Sequence, residues 1–173
     1  MADNISVLLS EEQIKERVTA LAGQIREDYQ GKDLVIIGVL KGSFVFMADL
    51  MRHINLPLTV DFLAVSSYGR STETTGAVKI LKDLDMPIEG KDVLIVEDIL
   101  DSGFTLRYII DLLDAKKAAS VKTCVLLDKP SRRLVPLTAD YRGFTIEDEF
   151  VVGYGLDYAQ NFRWLPYIGV ITL

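Results

Sequence analysis

Of its 173 residues the chain has one cysteine, Cys124, and one histidine, His53. A lone cysteine cannot close an intrachain disulfide. Cys124 lies in the apolar run Val121 to Leu127, so it is expected as a buried strand residue rather than a nucleophile or ligand, in a reducing compartment. His53 falls at the expected end of a helix and outside every motif, which points to a structural role. Long apolar runs are missing too. The longest stretch without a charged residue is the ten residues Trp164 to Leu173, against about 18 for a membrane span. The opening Met1-Ala2-Asp3-Asn4 has no basic n-region. A soluble, cytoplasmic protein with no membrane partner is expected. Basic residues are in deficit, 19 Lys and Arg against 25 Asp and Glu, giving a net charge of −6. Such a surface repels nucleic acid phosphates, so no nucleic-acid partner is expected unless basic residues are gathered locally. Only 5 prolines and 12 glycines interrupt a chain that is 49% hydrophobic and 25% charged, which excludes the disordered and fibrous classes.

What is present reads as one unit. There is no repeat, no low-complexity tract and no Pro/Gly/Ser-rich linker, and the length is near that of one domain, so a single domain over residues 1–173 is expected. Ser10 with Gln13 forms a capping-box signature, after which Ile14, Val18, Leu21, Ala22 and Ile25 recur at helical spacing, predicting a helix over Glu11 to Tyr29. Leu34 to Leu40 is a continuous apolar run, the pattern of a strand buried on both faces, and Lys41-Gly42-Ser43 leads into a helical segment from Phe44 to Arg52. Strands are predicted over Leu58 to Ser66, Ala77 to Leu81, Val93 to Val96 and Val121 to Leu127, with a helix from Thr105 to Lys117. Strand, helix, strand in this order predicts an α/β fold, a mainly parallel twisted sheet flanked by helices. Ligands of such sheets sit at the carboxyl ends of the strands, so the loops after Leu40, Val96 and Leu127 are the places for chemistry.

The loop after Val96 carries Glu97, Asp98 and Asp101, then Ser102, Gly103 and Thr105 at a helix start. Adjacent acids repel, and so want a cation or polyol hydroxyls, while Asp101 is a candidate acceptor of a substrate proton. The following helix N-terminus offers N–H groups to a phosphate monoester. The plainer reading, acids that solvate a strand end and a residue that caps a helix, stays open on spacing alone. Other phosphate loops fail: no G-x-x-x-x-G-K-[ST] occurs, and Gly153-Tyr154-Gly155 lacks the third glycine of a dinucleotide fingerprint.

Val93 to Thr105 resembles the phosphoribosyl-pyrophosphate signature of the type I phosphoribosyltransferases. The resemblance continues through Leu40-Lys41-Gly42-Ser43, Ser66 to Gly69, Leu127 to Arg133 and Phe150 to Tyr158, where it is similar to the short bacterial hypoxanthine phosphoribosyltransferases. It implies the type I fold with a small hood carrying a purine pocket, and purine salvage: transfer of a phosphoribosyl group from phosphoribosyl pyrophosphate to hypoxanthine or guanine, with Mg2+ required. By that resemblance Glu97 and Asp98 face the ribose hydroxyls and the metal, and Asp101 takes the purine proton. Asp101, Ser102, Gly103, Phe104, Thr105 and Leu106 hold the 5′-phosphate. Lys41, Gly42 and Arg163 meet pyrophosphate, and the Leu40-Lys41 peptide can be cis. Lys129, Phe150, Val151 and Asp157 form the purine side, with Asp157 near the metal. An ammonium donates only, so Lys129 suits the O6 of a 6-oxopurine and meets the adenine amino group donor to donor. Apart from the resemblance, Phe150 reads as a core residue, and Lys129, Arg132 and Arg133 as a solvated loop run. The polar stretch Ser67 to Gly76 has the profile of a lid, and the resemblance implies that it closes over the site with Ser67 and Tyr68 near pyrophosphate.

The resemblance also implies a homodimer or homotetramer, for which Phe44 to Met47 is a candidate contact. Two competing readings are a ligand-sensing regulator, which would need a basic docking face, and a transferase for another base such as xanthine or a pyrimidine.

Overall fold

The computed structural model describes residues 4–67 and 78–172. Tyr68 and the rest of the expected lid lie outside the described residues, and Ser67 enters only as the last residue of a strand. In chain order the elements are β1 (Asn4–Leu9), α1 (Glu11–Tyr29), β2 (Leu34–Leu40), α2 (Phe44–Ile54), β3 (Leu58–Ser67) and β4 (Val78–Lys82). There follow β5 (Asp92–Leu100), α3 (Phe104–Ala115), β6 (Ser120–Asp128), β7 (Tyr141–Thr145), β8 (Val151–Val152) and β9 (Ile168–Thr172). Six strands form one sheet in the order β4-β3-β2-β5-β6-β7, and β1-β9-β8 form a second, three-stranded antiparallel sheet. Only β4 runs antiparallel in the larger sheet.

Alternation along the central strands divides the core in two. Leu34 and Ile36 of β2 and Leu94 and Val96 of β5 pack with α1 and α2, while Val35, Ile37, Val39, Val93 and Ile95 pack with Leu106, Ile109 and Leu113 of α3. Coverage on both faces is why β2 and β5 read as unbroken apolar runs. Helix α1 buries Ile14, Val18, Leu21, Ala22, Ile25 and Tyr29 on one face. Its capping box is formed: Gln13 N donates to Ser10 Oγ at 3.1 Å and Ser10 N to Gln13 Oε1 at 2.9 Å. Cys124 is buried in β6, where desolvation pushes its thiol pKa up. His53 closes α2 with its Nδ1 2.8 Å from the Asp49 carbonyl. No helix of the described residues is long and apolar enough to cross a membrane.

The chain order places a crevice between β2 and β5. From β2 the chain crosses to β3 on one side, and from β5 it crosses to β6 on the other. Loops after two such strands diverge, which opens the sheet edge to a ligand. β2 pairs with β5 only from Leu34↔Asp92 to Gly38↔Val96, whereas β5 continues against β6 as far as Leu100↔Asp128. The strand expected to end at Val96 therefore extends to Leu100, and Glu97 and Asp98 stand on it just past the end of its pairing with β2. The Leu40-Lys41 peptide is cis.

Replacing Ser10 by Ala removes a cap worth about 1 kcal/mol. In a chain of this size the melting temperature is expected to fall by about 2–4 °C, measurable by circular dichroism, without loss of activity.

Candidate active site

Glu97 is 8% exposed, and the two neighbouring carboxylates have no basic side chain in salt-bridge contact among the described residues. Burial, then the charge of Asp98, pushes the Glu97 pKa well above the usual carboxylate range. Burial also raises Asp98, although an N–H bond from Ile99 at 2.8 Å and the more distant Arg163 work the other way. Two such acids share a proton or take a cation. They open into a cavity of about 260 Å³ lined by Val39, Leu40, Val65 and residues from Glu97 to Leu106. Gly42 stands over the pair: a Cβ there would overlap the Asp98 carboxylate. Gly155, at φ +96°, lies on the other side of that loop, where a Cβ would come 2.5 Å from the Gly42 carbonyl oxygen.

The loop from Asp101 enters α3 through Gly103, at φ +95°, a left-handed conformation that glycine adopts without strain. No side chain caps this helix. Phe104 N donates a long hydrogen bond, 3.4 Å, to Ser102 Oγ; the other N–H groups of the first turn face no capping side chain and can meet an anion. The N-cap is Gly103, not Asp101 or Ser102. Asp101 has Arg132 Nε 2.8 Å from its Oδ1, but the guanidinium is out of line for a hydrogen bond and Oδ1 has no aligned donor.

At the end of β6, Lys129 is 7% exposed rather than solvated. Its ammonium donates to the Glu149 carbonyl at 2.7 Å and lies 3.7 Å from Asp148. Phe150 is not a core residue: it is 48% exposed, edge-on to Tyr158 with centroids 5.5 Å apart. Val151 is buried in β8, paired with Val170. Asp157 is held by Arg163 at 3.1 Å and accepts Gln160 N–H at 2.8 Å, while Arg163 also donates to the Gly155 carbonyl at 2.6 Å. The Lys41 side chain is exposed at the end of β2. Arg132 stays exposed, but Arg133 does not fit a solvated run; its guanidinium is tied to Asp128, Asp101 and Leu137. The sequence reading also missed the hydrogen bond from Tyr154 Oη to Asp49 at 2.5 Å, which ties the Gly153–Gly155 turn to α2. Nothing in a Gly-Tyr-Gly spacing signals an acid on a distant helix.

Residues 5–159 match the phosphoribosyl transferase domain family. The chain belongs to that family. It is 54% identical over 165 residues to the hypoxanthine-guanine phosphoribosyltransferase of Bacillus subtilis (strain 168), covering 95% of this chain and 92% of that one. With the hypoxanthine phosphoribosyltransferase of Escherichia coli (strain K12) it shares 53% over 175 residues, covering 100% and 98%. Among solved structures, a hypoxanthine-guanine phosphoribosyltransferase from Bacillus anthracis superposes with a TM-score of 0.94 at 55% identity, over 98% of this chain and 100% of that one. A hypoxanthine phosphoribosyltransferase from Staphylococcus aureus gives 0.94 at 53%, over 96% and 91%. This phosphoribosyltransferase thus has the type I fold expected from its motifs, with the smaller sheet holding Val151 beside the larger one.

Does the donor set of this phosphoribosyltransferase suit a magnesium ion? Among the described residues no three of His, Cys, Asp and Glu converge into a closed cage, and Glu97, Asp98 and Asp157 do not form one. Magnesium is ordinarily held by one or two carboxylates, with waters and substrate phosphates completing its shell. An acid pair with raised pKa values and no basic side chain in salt-bridge contact among the described residues fits that arrangement.

The raised pKa values also set a pH dependence. Protonation of the pair in the folded state contributes stability that is full below the ordinary carboxylate range and is lost as pH rises through the raised pKa of Glu97. Glu97→Gln removes that loss. Without metal or ligand, its melting point is expected to exceed that of the parent by about 2–4 °C at pH 8, the effect of about 1 kcal/mol in a chain of this size. The gap should close towards pH 4. Parallel pH profiles would refute this.

Proposed function

We propose that this protein is a purine-salvage enzyme that transfers the 5-phosphoribosyl group from phosphoribosyl pyrophosphate to hypoxanthine or guanine, releasing pyrophosphate and forming IMP or GMP. The observation that carries the proposal is the arrangement at one sheet edge: a carboxylate pair, Glu97 buried and Asp98 half-buried, a helix N-terminus without a side-chain cap beside it, and a buried lysine at the end of the next strand. A polyol, a phosphate and an oxo-base are the three chemistries these groups recognise.

In this reading Glu97 and Asp98 hold the ribose hydroxyls and orient the anomeric carbon. The backbone and hydroxyl groups from Asp101 to Leu106 hold the 5′-phosphate. Lys41, Gly42 and Arg163 receive the pyrophosphate, whose developing charge is offset where it forms. A magnesium ion bound by Glu97, Asp98 and Asp157 together with donor oxygens would supply further charge compensation there. Phe150 stacks on the purine, Val151 meets its edge through backbone, and Lys129 donates to O6. Asp101 accepts the ring proton as the purine nitrogen attacks. The reaction is placed in the cytoplasm, in keeping with the lone buried thiol.

Self-association is assigned to a second groove, about 730 Å³, between α1, α2 and the segment from Gln160 to Pro166. Phe46 and Met47 are core, but Phe44 is 45% and Trp164 78% exposed beside it. The rim carries Glu11 and Asp49 together with Lys15 and Arg52. Charges of both signs suit a self-complementary contact with a second copy. Sedimentation should show a dimer or larger assembly that Trp164→Glu weakens; an unchanged assembly would place the contact elsewhere.

Asp101→Asn tests the catalytic assignment. Loss of a general base predicts a kcat for hypoxanthine about 10²–10⁴-fold lower, with donor affinity within about twofold of the parent. Turnover close to the parent's would overturn the assignment.

A further inference from the structure

We infer that Arg133 is a positioning residue that sets the phosphate-binding conformation of the Asp101–Thr105 loop. The inference rests on the reading of that loop as the cradle of the 5′-phosphate.

Arg133 follows a short turn, Pro130–Arg132, and its side chain is 16% exposed. Its three nitrogens go to three different segments. Nε donates to the Asp101 carbonyl at 3.1 Å, Nη1 to the Leu137 carbonyl at 2.6 Å, and Nη2 to the Asp128 carboxylate. Asp128 is 3% exposed at the end of β6, and its second oxygen takes Arg142 at 3.2 Å. Beside the guanidinium, the N–H groups of Leu134 and Val135 both donate to the Ser102 carbonyl, at 2.9 and 3.2 Å. The carbonyls of Asp101 and Ser102 are therefore both held on the side of residues 133–135. Gly103 fits against the same side chain, where a Cβ would come 3.2 Å from Arg133 Cδ.

The consequence follows from the planar trans peptide. A carbonyl and the N–H of the next residue point in opposite directions across one peptide plane. Pinning two successive carbonyls on one side turns the Ser102 and Gly103 N–H groups to the other, away from residues 133–135. A cluster of N–H groups fixed in this way binds an anion without first reorganising. Arginine is suited to the task because its planar fork reaches three acceptors in fixed directions, whereas a lysine ammonium is a point charge on a flexible stem. A lysine at 133 could satisfy Asp128 but could not also fix Asp101 and Leu137.

The test is calorimetric titration of ribose 5-phosphate into the parent protein, Arg133→Lys and Arg133→Gln, together with the KM for hypoxanthine and thermal melting. Arg133→Lys keeps a positive charge against buried Asp128 and so preserves the fold should Arg133→Gln melt. Both folded variants are expected to bind ribose 5-phosphate at least tenfold more weakly, with the KM for hypoxanthine within about twofold. Ribose 5-phosphate affinity within twofold of the parent in Arg133→Lys would overturn the inference, as would equal weakening of both sites, the mark of general loosening. A parent that forms no nucleotide from any purine but whose ribose 5-phosphate affinity falls in Arg133→Lys would overturn the proposed function and sustain this inference. A parent that does not bind ribose 5-phosphate would overturn both.

Discussion

Two carboxylates, Glu97 and Asp98, sit side by side in a low-dielectric crevice with no basic side chain in salt-bridge contact among the described residues, and that unbalanced charge is the constraint on which the site depends. Burying even one isolated carboxylate is costly, and a pair more so, unless a proton or a positive ion compensates. The location follows from topology: β2 stops pairing with β5 at Gly38, while β6 supports β5 for another four residues, so the acids project from a rigid strand into an open edge. The approach to them is kept clear by glycines, Gly42 over the Asp98 carboxylate and Gly155 behind Gly42.

The basic residues show the complementary pattern. The whole chain carries a net charge of −6, yet Lys129, Arg132, Arg133 and Arg163 gather around the same sheet edge, each engaged by an acid or a carbonyl. This local concentration suits a small polyanion. Arg133 and Asp128 link the Asp101–Thr105 loop to the strand end that carries Lys129, so the two halves of the crevice share one ion pair.

Much of this was legible in the sequence because the strongest signals come from the most buried parts. The α1 stripe and its capping box gave the helix at its observed ends, and the apolar run from Leu34 gave β2. The Val93–Thr105 segment located the site because strand, acids and small residues occur there without interruption. Other parts were hidden for physical reasons. β1, β7, β8 and β9 were not assigned; β8 has two residues and the others five or six, β1, β7 and β8 are sheet edges, and β9 has only five residues despite its central position. β5 was cut short at Val96 since charged residues in a strand look like its end, and only the pairing with β6 explains their place. Arg133 looked like half of a solvated pair because its partners, Asp128 and two carbonyls, are recognisable only once the turn has folded. The exposure of Phe150 was likewise invisible beside Val151 and Val152, whose apolar character suggests packing.

The central claim is that one crevice holds the ribosyl donor on its acids and a 6-oxopurine on Lys129. Its most direct test is nucleotide formation by the purified protein with magnesium and phosphoribosyl pyrophosphate, offered hypoxanthine, guanine, xanthine or adenine in turn and followed by absorbance. The account predicts IMP from hypoxanthine and GMP from guanine, with adenine inert. Adenine converted as well as hypoxanthine would contradict the role of Lys129, and no nucleotide from any base, despite measurable donor binding, would contradict the account as a whole.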